Sequence, residues 1–190
     1  MNSIGAIISE CLKNRRTAQK RLYDLYAAKM YGICMRYAKN YHDAQDILQD
    51  GFIAVFKYLH TFKNKGSFEG WVKRIMINTA VKHYKEKITH LSISIDKMEE
   101  NGVSNNELKE ECSRVELKEL TEIIQTLPAQ YRIVFNMHAI EGYSHKEIAN
   151  TLNISEGTSR SNYLRARSIL KYKLEQENIT KRFFPKISIK

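Results

Sequence analysis

At 190 residues the chain has room for one ordinary domain or two small ones, and its 31 Lys and Arg against 21 Asp and Glu leave +10 at pH 7, so a polyanionic partner is expected. Cys11, Cys34 and Cys112 are far apart and in no C-x-x-C spacing, which argues against disulfides and a zinc site and suits a reducing compartment. No apolar run approaches a membrane span and the N-terminus has no signal-like apolar stretch, so a cytoplasmic protein without direct membrane insertion is expected.

The charge is unevenly spread. Residues 1–87 carry 16 basic and 7 acidic side chains, residues 88–125 carry 4 and 9, and residues 126–190 carry 11 and 5. Two basic blocks therefore flank an acidic connector, as two nucleic-acid-facing modules on one tether would. Prolines occur only at 128 and 185, and few segments alternate as a half-buried strand does. The expected fold is all-α. An N-terminal helical bundle occupies 1–87, an acidic linker 88–114, a four-helix domain with a helix-turn-helix 115–176, and a basic tail 177–190.

In chain order, a short helix over Ile4 to Leu12 precedes a long one from Thr17. In the long helix Leu22, Tyr26, Met30, Ile33 and Tyr37 make one apolar stripe. Asp43 is read as the cap of the next helix, with Ala44, Ile47 or Leu48, Phe52, Val55 or Phe56, and Leu59 turned inward. Its outer face carries Asp46, Gln49 and Asp50. Asp46 also suits the first turn of a helix on dipole grounds alone. An acidic patch on a basic domain nonetheless fits docking on a basic protein partner.

Asn64, Lys65, Gly66 and Ser67 follow in a polar loop with aromatic residues at both ends. Ser67 is expected to cap a helix that turns Phe68, Val72, Ile75 and Thr79 inward, with Phe68 read as bundle core. Trp71, Arg74, Asn78, Lys82 and Lys85 share an adjoining face. Rings interleaved with cations suit unstacked single-stranded bases, because any base stacks on a ring while lysines follow the backbone.

Beyond Ile88 the pattern dissolves, and helical spacing resumes with Leu117, Leu120, Ile123, Ile124 and Leu127. Pro128 is placed at the first position of a further helix, with Tyr131, Val134, Phe135 and His138 on one side. His138 is read as a packing residue, since no Cys, His or acid stands at ligand spacing from it. Glu141-Gly142 ends that helix. Ser144 with Glu147 then forms a capping box, Asn153-Ile154 breaks the pattern, and Ser155 caps a second helix, the layout of a helix-turn-helix. Ser159, Tyr163, Ala166, Leu170 and Leu174 form its inner stripe. Thr158, Ser161, Arg165 and Ser168, flanked by Arg160 and Asn162, form an outer face of hydroxyls, amide and cations suited to a major groove.

This order of features resembles the extracytoplasmic-function sigma factors, members of the sigma-70 family of bacterial RNA polymerase. The resemblance covers roughly Ala18 to Lys87 and Leu117 to Leu174. It rests on D-A-Q-D-I-L-Q-D-G-F at 43–52, G-S-F-E-G-W-V-K-R-I at 66–75, L-P-A-Q-Y-R-I-V-F at 127–135, G-Y-S-H-K-E-I-A at 142–149 and I-S-E-G-T at 154–158.

The resemblance implies roles for these residues. Asp46, Gln49 and Asp50 would dock on the coiled coil of the largest polymerase subunit. Asn64, Lys65, Gly66, Ser67, Trp71, Arg74, Asn78, Lys82 and Lys85 would melt the minus-ten element and hold its non-template strand. Ser144, Ser155, Glu156, Gly157, Thr158, Arg160, Ser161, Asn162, Arg165 and Arg167 would meet the minus-thirty-five duplex. The linker would thread towards the RNA channel. Core RNA polymerase and promoter DNA would be the partners, with an anti-sigma factor that in this family is often membrane-bound. No catalytic residue, cofactor or metal is implied.

Three departures stand out: Asp50 replaces a usual glutamate, Ser159 stands where valine often packs, and Asn162 occupies a position that is often basic. The domain found between the two modules of larger sigma factors is absent. Two other readings exist. A free-standing helix-turn-helix regulator, with a bundle that dimerises or binds a ligand, explains the second half but not the aromatic and basic face around Trp71. A serine recombinase would need Ser3 or Ser9 as nucleophile, and no strand-rich catalytic domain precedes the motif.

Overall fold

Every regular element among the described residues is helical, and the helices separate into two units. The computed structural model describes the backbone of residues 3–93 and 112–176, and the side-chain surroundings of 3–88 and 119–175. The central part of the expected linker and the basic tail 177–190 lie outside the described residues.

The first unit holds α1 (Ile4–Leu12), α2 (Arg16–Tyr37), α3 (Tyr41–Tyr58) and α4 (Phe68–Ile93), with a short 3-10 turn at Leu59–Thr61. Helix α1 is capped by Ser3 and buries Ile7 and Cys11, packing on α2. The stripe expected in α2 is buried at Leu22, Met30, Ile33 and Tyr37 and half-buried at Tyr26. Helix α3 starts two residues before Asp43, because Asn40 is its cap and accepts the Asp43 N–H at 2.9 Å. Asp43 instead sits in the first turn, where its carboxylate reaches Lys87 Nζ at 2.7 Å.

Helix α4 packs against both α2 and α3, so it buries a wider arc than one stripe. Phe68 and Val72 are buried as expected, whereas Ile75 and Thr79 are only half-buried. Met76, Ile77, Ala80 and Val81 fill the interior in their place. The close approach of α3 and α4 explains buried Gly51: a Cβ there would collide with the Met76 side chain at Sδ. The helix runs through Ile93, beyond the expected linker start at 88.

The second unit holds α5 (Cys112–Gln125), α6 (Ala129–Phe135), a π-helical turn at Asn136–Ile140, α7 (His145–Leu152) and α8 (Glu156–Gln176). Ile123, Ile124 and Leu127 from the α5 side pack against Ala166 and Leu170 of α8, with Tyr131 and Phe135 on their flank. Pro128 is the cap of α6, one residue before the first helical position. Its missing N–H costs nothing there.

Periodicity undercounts the interior of this second unit. Arg132 is 4% exposed and donates from Nη1 to the carbonyls of Gln125 and Leu127, at 2.8 and 3.2 Å, so a buried cation closes the end of α5. Asn136 and Met137 are buried, three and four residues after Ile133 and so on its side of the helix, while Phe135 and His138 are half-buried.

Candidate nucleic-acid interface

Three surfaces carry the residues singled out by sequence, two on the first unit and one on the second. On α3, Asp46, Gln49 and Asp50 are all exposed. The Asp50 carboxylate does not stand alone: Oδ2 lies 2.8 Å from His83 Nε2 of α4. With the Asp43–Lys87 pair, two carboxylates of α3 are thus tied to basic side chains near the end of α4. His83 was not singled out by sequence, since its partner lies 33 residues away.

The second surface begins with the loop before α4. Asn64 (φ +54°) and Gly66 (φ +101°) are both left-handed, a conformation that Asn and Gly tolerate better than other residues. Lys65 and Ser67 are exposed with them. Ser67 caps α4 as expected, accepting the Gly70 N–H at 3.1 Å. Trp71 is half-buried. Its ring stacks on Phe68 with centroids 5.6 Å apart and tilts against Phe62 at 5.5 Å, while Phe68 meets Tyr26 edge-on. The aromatic cluster therefore fixes the indole while leaving part of it at the surface. Arg74, Asn78, Lys82 and Lys85 are exposed on the following turns, and Lys82 pairs loosely with Glu86 at 3.6 Å.

The third surface is the helix-turn-helix. Glu147 N–H donates to Ser144 Oγ at 3.2 Å, and Ser144 N–H donates to Glu147 Oε2 at 2.8 Å, completing the capping box of α7. Asn153 ends α7 in the left-handed region at φ +57°. Ser155 then caps α8 through the Thr158 N–H at 2.9 Å. The left-handed Asn153 at the end of α7 and the Ser155 cap at the start of α8 thus set the turn between the helices.

On α8, Gly157, Ser161, Arg165, Arg167 and Ser168 are exposed, and exposed Glu156 and Arg160 pair with each other. Thr158 is half-buried. The Arg167 guanidinium lies over the Tyr163 ring at 5.8 Å. Asn162 corrects the expected outer face: it is 3% exposed and points inward, so its side chain is not available to a duplex. Ser159 is wholly buried and meets His145 Nδ1 at 3.0 Å, a polar replacement for an apolar contact between α7 and α8.

His145 also stacks on His138, with ring centroids 4.1 Å apart. His138 Nδ1 donates to the Tyr143 carbonyl at 2.8 Å, so it is a packed and hydrogen-bonded residue. Burial, then His138 and Arg160, lower the His145 pKa from 6.5, and Glu156 opposes them weakly. A lowered folded pKa means that the unfolded chain binds more protons below neutrality. Stability from this group is complete above about pH 6.5 and declines as pH falls through the lower folded value. Amide protection factors in α7 and α8, with the intrinsic pH dependence of exchange divided out, are accordingly expected to fall as pH drops below about 6.5, and to lose much of that dependence in His145→Gln.

Among the described residues no three His, Cys, Asp or Glu are placed to hold a metal, and no helix is long and apolar enough to cross a membrane.

The chain matches two family models, sigma-70 region 2 over residues 22–87 and sigma-70 region 4 over residues 117–170. It is 30% identical over 179 residues to the ECF RNA polymerase sigma-E factor of Escherichia coli, covering 89% of this chain and 93% of that protein. To the RNA polymerase sigma-H factor of Pseudomonas aeruginosa it is 29% identical over 164 residues, covering 80% and 85%. Among solved structures, the sigma factor RpoE of Bartonella quintana, in complex with the anti-sigma factor NepR, shares the fold with a TM-score of 0.55 at 17% identity. That match covers 82% of this chain and 96% of the other.

Proposed function

Because the chain belongs to the sigma-70 family and is an extracytoplasmic-function RNA polymerase sigma factor, we propose that it works through two modules that core polymerase holds on one promoter. Residues 1–87 dock on the polymerase through Asp46, Gln49 and Asp50 and open the minus-ten element with Trp71, Arg74, Asn78, Lys82 and Lys85. The loop Asn64 to Ser67 receives an everted base of the non-template strand. Residues 115–176 read the minus-thirty-five duplex with the outer face of α8. The linker 88–114 passes towards the RNA channel, where its negative charge imitates nucleic acid.

The observation that carries this reading is the pairing, within one small unit, of an acidic α3 face with an aromatic and basic α4 face, in a chain that also has a helix-turn-helix. A free-standing regulator accounts only for the last of these, and relatives named as sigma factors do not favour it. In this reading core polymerase supplies all the chemistry, the chain acts in the cytoplasm without catalysis of its own, and an anti-sigma factor covers its DNA-binding surfaces until a signal releases it.

Two weak sites on one scaffold reinforce each other through effective concentration, so neither needs high affinity alone. The free chain is therefore expected to bind promoter duplex poorly, and the chain on core polymerase to bind it tightly, as read by fluorescence anisotropy of a labelled promoter. Tight, sequence-specific binding by the free chain would contradict the reading.

A further inference from the structure

Across 34 residues of chain, Arg165 Nη1 of α8 donates to the Tyr131 hydroxyl of α6 at 3.2 Å. The Tyr131 ring packs on the interior formed by Ile123, Ile124, Leu127, Ala166 and Leu170, so packing fixes where the hydroxyl stands. A tyrosine oxygen that accepts from a guanidinium keeps its own proton to donate elsewhere, and the guanidinium keeps further N–H donors. The pair thus offers several donors and one positive charge at an exposed spot.

The position along α8 identifies the acceptor. Arg165 is nine residues past Glu156, about 13 Å from the start of the helix at 1.5 Å per residue. A recognition helix reads base edges with its N-terminal turns, and a residue this far along stands at the margin of the groove, beside the sugar-phosphate strand. Two donors of different kinds, one charged and one neutral, match the unesterified oxygens of a phosphodiester.

We propose that Tyr131 and Arg165 form a joint phosphate clamp on the duplex, which makes Tyr131 a DNA contact outside the helix-turn-helix. This rests on the reading of α8 as the recognition helix. Sequence periodicity hides it, because Tyr131 falls among the apolar positions of α6 and serves the interior with its ring.

The test uses the full chain on core polymerase and a duplex carrying the upstream promoter element. Tyr131→Phe keeps the ring and removes the hydroxyl. Its affinity is expected to fall about three- to tenfold with the melting temperature unchanged. Arg165→Ala should lower the slope of log K against log salt by about one, as the loss of one phosphate contact does. Adding Tyr131→Phe to Arg165→Ala should cost less than about twofold more, since the two act on one phosphate.

The loss from Tyr131→Phe should also be uniform across base substitutions in the element. Unchanged affinity in Tyr131→Phe, full additivity in the double variant, or a loss that varies with base identity would each overturn the clamp. If the unaltered chain on polymerase shows no preference for the element, the recognition-helix reading fails and takes the clamp with it.

Discussion

Asp50→Arg is expected to cut the affinity of the chain for core RNA polymerase by about a hundredfold, roughly 3 kcal/mol, because like charges meeting across an interface cost several kcal/mol. Asp50 is exposed on α3 one turn after Asp46, with more than half of its side chain in solvent. Among the described residues its side chain meets His83, a partly exposed contact of a kind worth about 0.2–1 kcal/mol. Reversing the charge should therefore damage docking far more than folding.

Capture of the chain on immobilised core polymerase measures the docking effect, and thermal melting measures the fold. Asp24→Arg makes the same charge change on α2, where Asp24 pairs with exposed Lys20. It should leave capture near the unaltered level. Undiminished capture of Asp50→Arg would refute the assignment of α3 as the docking helix.

Joint replacement of Arg74, Asn78 and Lys82 by alanine is expected to reduce promoter opening by about a hundredfold, since contacts to an unstacked strand contribute about 1 kcal/mol or more each. All three are exposed on one face of α4, and none belongs to the interior. The variant should fold and bind polymerase normally. Permanganate reactivity of unpaired thymines reports the opening directly. On a template with the minus-ten region already unpaired, the cost of melting disappears, and transcription should recover to within a few-fold of the unaltered protein. A defect equally deep on the pre-opened template would mean that these residues do not act in melting.

Much of this arrangement is legible in the residues themselves, where a local rule suffices. Ser144 with Glu147, Ser67 and Ser155 cap their helices as the spacing predicts, because each cap is a bond within three residues. The stripe of α2 and the short helix Ile4–Leu12 follow from periodicity in the same way. Other features depend on what lies across the fold. Asn40 and Asp43 are both good caps three residues apart, and the choice of Asn40 leaves Asp43 free to reach Lys87.

Polarity also misleads where a polar side chain is buried. Asn162 lies three residues after Ser159 and four before Ala166, so its spacing is that of the inner stripe, yet an amide on a helix read as DNA-binding invites placement outside. Arg132 disappears for the opposite reason: a cation is expected outside, but the open carbonyls at the end of α5 satisfy it within. The wide buried arc of α4 reflects two packing partners, and a single-stripe pattern cannot express both. Contacts such as Asp50–His83 and Tyr131–Arg165 join residues more than thirty positions apart, beyond the reach of any local rule.

The measurement that bears most directly on the whole account is run-off transcription by core polymerase on a genomic promoter library, with and without the purified chain. The account expects the chain to concentrate initiation on a subset of templates that share two spaced elements, one read as duplex by α8 and one opened by α4. Transcripts distributed as they are with core polymerase alone would contradict it.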